Sequence, residues 1–341
     1  MGMIRILFLA DTHLGFDLPF RPRIQRRRRG HDFFNNFRKA LEPARNGQVT
    51  CVVHGGDLLY RSKVPPELVA MAFEPLHEVA AKGVPVYLVP GNHERSEIPF
   101  VLLAQAPGVY IFDRPRTFLL EQQGFSLAIS GFPYIRDKVR EQFRRILDQT
   151  KWKETSAHPH LLCIHQCIEG ATVGPSNFTF RWGPDVIRAA DIPRGLLAVL
   201  AGHIHRAQVL TKDLSGKTLP APVIYPGSIE RTSFAEKGEA KGFFVLEIDS
   251  SAATPPRWAF HELYARPMVE VAIRPSESSP IELRNLLLST LDDLPRDSVV
   301  KFRVKGVIPT SSLELLPAAS LRSLAPSTMN LSVVLNQPAR S

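Results

Sequence analysis

Over its first 250 residues the chain alternates short apolar runs with amphipathic stretches, and several of the apolar runs end on Asp, Asn, Gly and His. Ile4–Ala10 is a compact apolar run that meets Asp11 at once and predicts a first core strand. Phe33, Phe34, Phe37, Ala40 and Leu41 recur at helical spacing and predict a helix from about Asp32 to Ala44. Val49–His54 predicts the second strand and delivers Asp57. Pro65 and Pro66 open a helix with Leu68, Val69, Ala72, Leu76 and Val79 as its buried stripe, and Val84–Val89 predicts a third strand. A βαβαβ order of this kind predicts a parallel sheet with right-handed crossovers.

After Asp113 the texture changes. Phe118–Leu120 and Phe125–Ser130 flank Gln122-Gln123-Gly124 and predict a hairpin, and a helix carrying Phe143, Ile146 and Leu147 follows. Leu161–His165 and Leu196–Leu200 predict buried strands, each leading to a histidine, and Val223–Tyr225 and Gly242–Ile248 are expected to complete a second sheet. From about Arg266 the pattern is that of a separate unit. Met268–Ile273, Val299–Val304 and Leu331–Leu335 predict strands, with helices near Ile281–Leu291 and Leu321–Leu324. The expected division is residues 1–265 and a small α+β domain over residues 266–341.

Composition narrows the class. A chain of 341 residues with 44% apolar content has ample material for a core. Cys51, Cys163 and Cys167 are too few and too scattered for a disulfide framework. No apolar stretch approaches the length of a membrane span, and the N-terminus reads as a strand and not as a signal peptide, so a cytoplasmic protein is expected. The formal charge of +9 favours a polyanionic partner. Arg21, Arg23, Arg26, Arg27, Arg28 and Arg29 form the densest basic cluster. It reads either as a grip on a nucleic-acid backbone or as a solvated loop paired to acidic neighbours.

The chemistry lies in five short runs: Asp11-Thr12-His13, Gly56-Asp57, Gly91-Asn92-His93-Glu94, His165, and Gly202-His203-Ile204-His205. Each ends or follows a strand-like run, so all five can share one edge of a sheet, where open α/β folds place ligands. Asp11 and His13 are two apart, and strand alternation would point both side chains the same way. Asp57 follows Gly55-Gly56, and a carboxylate can bridge two ions, so Asp57 is the candidate shared ligand. A consistent partition puts Asp11, His13, Asp57 and His205 on one ion and Asp57, Asn92, His165 and His203 on the other. Mixed oxygen and nitrogen donors suit two Mn2+, with Fe2+, Zn2+ or a mixed pair as alternatives. His93, beside Asn92, is the candidate catalytic group, protonating the leaving oxygen or stabilising phosphoryl charge. Glu94 is expected either to support a ligand histidine or to pair with Arg95. Cys163 and Cys167 are expected to pack as small buried groups and His158 and His160 to lie exposed in a loop, while His31 and His54, close in sequence to the site, are minor candidates to touch substrate.

Read in order, these motifs resemble the calcineurin-like metallophosphoesterases, and look most like the DNA-repair nuclease branch, the SbcD/Mre group. The resemblance spans roughly residues 3–250. It implies a two-sheet α/β/β/α sandwich, two manganese ions, a bridging role for Asp57 and a non-ligand role for His93. Tyr225-Pro226-Gly227-Ser228, Glu230-Arg231 and the stretch from Glu236 to Gly242 resemble the segment leading into that group's last core strand, and the tail resembles its capping domain. The function expected is hydrolysis of DNA phosphodiesters, as exonuclease or endonuclease, on single strands or at ends, with a homodimer implied by the resemblance. Members of the group usually continue into a helical segment that binds an SbcC-like ATPase. This chain stops soon after Leu331–Leu335, so action without that partner is expected. The competing readings are a small-substrate phosphatase or cyclic-nucleotide phosphodiesterase, and a non-catalytic nucleic-acid-binding protein.

Overall fold

Two six-stranded sheets carry the larger part of the protein. The computed structural model describes residues 3–18, 29–94, 107–122, 125–155, 157, 159–249, 254–274, 279–306, 309 and 314–335. The chain forms two compact units, Met1–Phe16 with Gly30–Ala265, and Asp17–Arg29 with Arg266–Ser341.

In the larger unit β1 (Met3–Leu9), β2 (Cys51–His54), β3 (Val86–Leu88) and β4 (Val109–Ile111) run parallel, and β15 (Lys241–Asp249) and β16 (Arg257–Leu263) add antiparallel beyond β1. The second sheet joins the antiparallel hairpin β5 (Arg116–Gln122) and β6 (Phe125–Gly131) to the parallel run β6, β7 (His160–His165), β12 (Ala198–Gly202) and β14 (Thr218–Tyr225), with β13 (Gln208–Lys212) antiparallel at its edge. Four two-residue strands lie between β7 and β12: β8 (Cys167–Ile168) pairs with β11 (Val186–Ile187), and β9 (Thr172–Val173) with β10 (Phe178–Thr179).

Period-two alternation sends one face of each sheet into a shared core. Ile4, Ile6 and Phe8 of β1 and Cys51 and Val53 of β2 pack with Ile129 of β6, Leu161 and Cys163 of β7 and Leu200 of β12. The outer face of the second sheet packs Leu162, Ile164 and Val199 against Phe143, Ile146 and Leu147 of α4 (Val139–Gln149). Helices α1 (Gly30–Ala40), α2 (Glu42–Arg45) and α3 (Pro66–Ala81) connect the strands of the first sheet. The single helix expected to Ala44 is thus two. Pro43 has no N–H to give the preceding turn, and the chain restarts at Glu42 with Leu41 as its cap.

One sheet assignment differs from expectation. The strand over Gly242–Ile248 joins the first sheet, pairing Leu246 with Ile6 and Val245 with Leu7 of β1. Its alternation fits either inner face equally, so only the long-range pairing decides. In the smaller unit β17 (Met268–Ile273), β18 (Val299–Val304) and β19 (Asn330–Leu335) run parallel. They alternate with α5 (Pro280–Asp292), which Ser279 and Glu282 start as a capping box, and α6 (Ala318–Leu324). Phe302, Leu283, Leu287 and Leu321 are among its core residues. No helix among the described residues is long and apolar enough to cross a membrane.

Candidate metal centre

The parallel strands of both sheets end at the same rim, and every proposed ligand sits on a strand end or in the loop beyond it. Asp11 and His13 follow β1, Asp57 follows β2 and Asn92 follows β3; His165 is the last residue of β7, and His203 and His205 follow β12. The two loops after β1 and β2 stay paired beyond the strands: Asp11 N–H donates to Gly56 O (2.9 Å) and His13 N–H to Asp57 O (3.0 Å). Asp11 and His13 are not in the strand alternation expected of them. Both are left-handed (φ 51° and 43°), as are Asp57 (53°) and His203 (86°), so tight turns aim these side chains. Such residues cost about 1–3 kcal/mol each and gather where a site dictates geometry.

Two donor groups result. Atoms of Asp11, His13 and His205 lie within 4.8 Å of one another, as do atoms of Asp11, Asp57 and His165. His13 and His205 face each other through their Nε2 atoms at 2.9 Å. Asn92 Oδ1 lies 3.1 Å from His165 Nε2 and 3.0 Å from His203 Nδ1, while Asp57 Oδ2 is 3.4 Å from His165 Nε2. All seven predicted ligands are brought together; Asp11 belongs to both of these groups, and Asp57 joins the second to a further one with His13 and His93. Gly56 and Gly91 permit the closeness. A Cβ on Gly56 would lie 2.4 Å from His165 Nδ1, and one on Gly91 2.2 Å from Asp57 Oδ1.

The donor set fits divalent ions. Two imidazole nitrogens 2.9 Å apart can share one proton at most, whereas a cation accepts both lone pairs. The orienting bonds are present too. His165 gives its Nδ1 proton to Gly55 O (2.7 Å), leaving Nε2 for the centre. Electrostatics tell the same story. Burial pushes Asp11 up to about 6 and brings His13 and His203 down to about 3, the neutral state a ligand requires. Burial also opposes charge on Asp57, but His165, His13 and His93 hold its carboxyl well below the usual range. His165, against burial, is raised to about 9 by Asp57 and Asp11, and so carries a positive charge where the carboxylates call for one.

His93 stands beside this centre. Its N–H donates to Asp57 Oδ1 (2.9 Å), and its Nδ1 bonds the carbonyl of Tyr60, which can only accept. Nδ1 therefore carries a proton, and Nε2, 3.7 Å from Asp57 Oδ2, is left for exchange. His93 also groups with His13 and Asp57 within 4.8 Å, close enough to ligate. Among the described residues Glu94 makes no hydrogen bond to a ligand histidine, and Arg95, its other expected partner, lies outside them. Glu94 is 1% exposed and accepts N–H bonds from Leu59 (2.7 Å), Gly91 (2.7 Å) and Asp57 (3.0 Å), stapling the β2 and β3 loops together. Burial raises its carboxyl to about 8.

Several supporting residues escaped sequence reasoning. Thr12 Oγ1 donates to Leu58 O (3.0 Å) and touches His54 Nε2 (3.1 Å), while Gly56 N–H donates to His54 Nδ1 (3.2 Å), so His54 pins the loops from below. Tyr134 sets its ring 5.5 Å from His203 and 6.0 Å from His165, centroid to centroid. Glu236 Oε1 lies 3.2 Å from His205 Nδ1. Lys241, 1% exposed, donates to Glu236 (2.7 Å), His205 O (2.9 Å) and Glu239 (3.2 Å). Glu236 and Lys241 lie in the stretch singled out from the sequence, but nothing local showed their target.

The remaining expectations concern residues that are not part of the donor groups. Arg21, Arg23, Arg26, Arg27 and Arg28 lie outside the described residues. Arg29 is 7% exposed, with its N–H on Asp17 Oδ2 (3.1 Å), and offers no solvated grip. His31 is exposed. His160 is buried, not exposed, because it belongs to β7 and bonds Ser130 Oγ (2.7 Å); His158 lies outside the described residues. Cys163 and Cys167 point into different core clusters and form no thiolate pair.

Comparison with known proteins finds relatives and a family. The chain is 24% identical over 263 residues to the DNA double-strand break repair protein Mre11 of Methanopyrus kandleri, covering 72% of this chain and 54% of that one. It is 23% identical over 345 residues to the protein of the same name from Archaeoglobus fulgidus, covering 94% and 72%. The chain thus spans about half to two thirds of the length of the first relatives it matches. Among solved structures, a hypothetical protein from Thermus thermophilus superposes with a TM-score of 0.46 at 17% identity, covering 76% of this chain and 99% of that one. The calcineurin-like phosphoesterase family pattern matches residues 4–207, from the first strand through both histidines of the last ligand loop, and the chain belongs to that family.

Proposed function

We propose that the protein is a manganese-dependent nuclease that hydrolyses DNA phosphodiesters. The observation that carries the reading is the set of donor groups linked through Asp11 and Asp57, with His93 beside them and aimed by Tyr60. Asp11, His13, Asp57 and His205 would hold one ion, and Asp57, Asn92, His165 and His203 the other. Divalent ions held there would supply an activated water and neutralise charge on the phosphoryl oxygens.

The chain's own residues supply the rest. Tyr60 O fixes the His93 Nδ1 proton, so an imidazolium at His93 presents Nε2–H to the departing sugar oxygen. Exposed Arg61, whose guanidinium carbon stands 4.8 Å over the Tyr60 ring, and exposed Lys63 lie on the loop that carries Tyr60. Arg61 is the candidate contact to a backbone phosphate, which predicts low sequence preference and strong salt sensitivity. Support for DNA as the substrate comes from the relatives named as break-repair proteins and from the net charge of +9.

The test is cleavage of end-labelled single- and double-stranded DNA by the manganese-loaded protein, beside His93→Ala and a small chromogenic phosphodiester. DNA cleavage that His93→Ala loses while still binding both ions supports the reading. Turnover of the small ester with DNA left intact would replace it with a small-substrate phosphodiesterase.

A further inference from the structure

The segment between His165 and His203 carries two aromatic side chains that the core does not take up. Phe178 is 58% exposed and Trp182 75% exposed. Phe180 between them is the anchor, partly buried against the outer core of the second sheet, and the Phe178 ring meets it edge-on at 5.2 Å. Exposed Arg181 separates Phe180 from Trp182.

This hairpin is held from the metal side. Arg206, the residue after His205, donates to Gly174 O (2.6 Å) and Asn177 Oδ1 (2.7 Å). Gln208 accepts from Thr172 N–H (2.9 Å) and donates to Thr172 O (2.9 Å). Arg206 Nε also bonds Glu239 (3.1 Å), which shares Lys241 with Glu236, the partner of His205. The hairpin is therefore continuous with the network that orients a proposed ligand. Phe178 is one residue beyond the clamped Asn177.

Exposed aromatics on a segment tied to the ligand loop and interrupted by arginine fit one class of ligand well. Every nucleobase has a π-face, so aromatic platforms bind single strands without regard to sequence, and arginine adds cation–π and phosphate contacts. A protein partner would call for a contiguous apolar patch, whereas Ser176, Asn177 and Arg181 break this one. We propose that Phe178 and Trp182 form a stacking platform for unpaired bases of the strand being cut. An intact duplex offers only base edges. Single-stranded DNA and frayed ends are thus preferred. The inference rests on the nuclease reading and names the form of DNA that the site takes.

The test measures binding of a labelled short oligothymidylate to the full manganese-loaded chain, in a His93→Ala background that blocks cleavage. Trp182→Ala and Phe178→Ala should each weaken binding roughly five- to 150-fold, while Trp182→Phe retains most of it. The slope of affinity against salt should not change, because no phosphate contact is removed. An oligomer of abasic sites should bind the parent and both alanine variants equally, and turnover of the small ester by the His93-intact forms should be unaltered. Equal binding of oligothymidylate by parent and alanine variants overturns the platform. So does equal weakening toward the abasic oligomer, which indicates a structural role. A parent dimer that Trp182→Ala dissociates would make this face an interface between copies instead. Failure of the parent on every DNA, with the small ester still turned over, removes the nuclease reading itself.

Discussion

Replacing Glu94 tests whether a buried carboxylate holds the two loops of the centre in place. Its Oε1 accepts Leu59 N–H, and its Oε2 accepts both Gly91 and Asp57 N–H, at 2.7, 2.7 and 3.0 Å. Alanine would orphan three buried amides, each costing about 1–3 kcal/mol. With water entering the vacated space, roughly 3–6 kcal/mol should be lost. At pH 9, above the value of about 8 to which burial raises Glu94, glutamine has one acceptor oxygen where the carboxylate has two. With that oxygen serving Asp57 and Gly91, its NH2 meets Leu59 N–H donor to donor, and about 2–3 kcal/mol is lost. For a unit of this size, each kcal/mol lowers the melting temperature by about 2–4 °C. Glu94→Gln should therefore melt roughly 4–12 °C below the parent, and Glu94→Ala lower still. Because the Asp57 amide is one of the three donors, manganese affinity should fall with stability, by about 10- to 100-fold. Thermal unfolding at pH 9, followed by circular dichroism, and manganese calorimetry read both. A glutamine variant that melts within about 2 °C of the parent and binds manganese equally well would refute the staple.

Glu236→Ala should weaken manganese binding about 10- to 100-fold, because the partner of His205 Nδ1 is lost. It should also destabilise the fold by about 3–5 kcal/mol, because buried Lys241 loses its nearest carboxylate. Calorimetry and melting that both match the parent would remove Glu236 from this role. Manganese binding at pH 7.5 should release at least about one proton, since His165, raised to about 9, is protonated before the ion arrives and must lose that proton to ligate. Affinity should fall about tenfold per pH unit from pH 9 toward 6, then more steeply as Asp11, raised to about 6, also takes up a proton. Calorimetry in buffers of different ionisation enthalpy counts the protons, and a count of zero contradicts His165 as a ligand.

The parts of this centre that are legible in the sequence are local. Asp11, Asp57 and the Asn92 loop each follow closely on a buried apolar run, so the strand and its ligand are read together. His165 and His203 follow the same rule from the second sheet. What stays hidden depends on distant pairing. Glu94 bonds amides 35 and 37 residues earlier, and nothing in Asn-His-Glu announces a carboxylate facing backbone. Glu236 reaches His205 across 31 residues. The strand over Lys241–Asp249 has an alternation that suits either sheet, and its place beside β1 comes from tertiary pairing. β16 is hidden because five of its seven residues are exposed and its polar and apolar positions do not alternate cleanly. The left-handed turns at Asp11 and His13 replace the expected alternation because the chain leaves the strand at Leu9.

The most direct measurement is anomalous diffraction from crystals grown with manganese. Two peaks should appear at the rim, one among Asp11, His13 and His205 and the other among Asn92, His165 and His203, with Asp57 touching both. A single peak, or two peaks that Asp57 does not join, would contradict the shared-carboxylate centre on which the proposed chemistry depends.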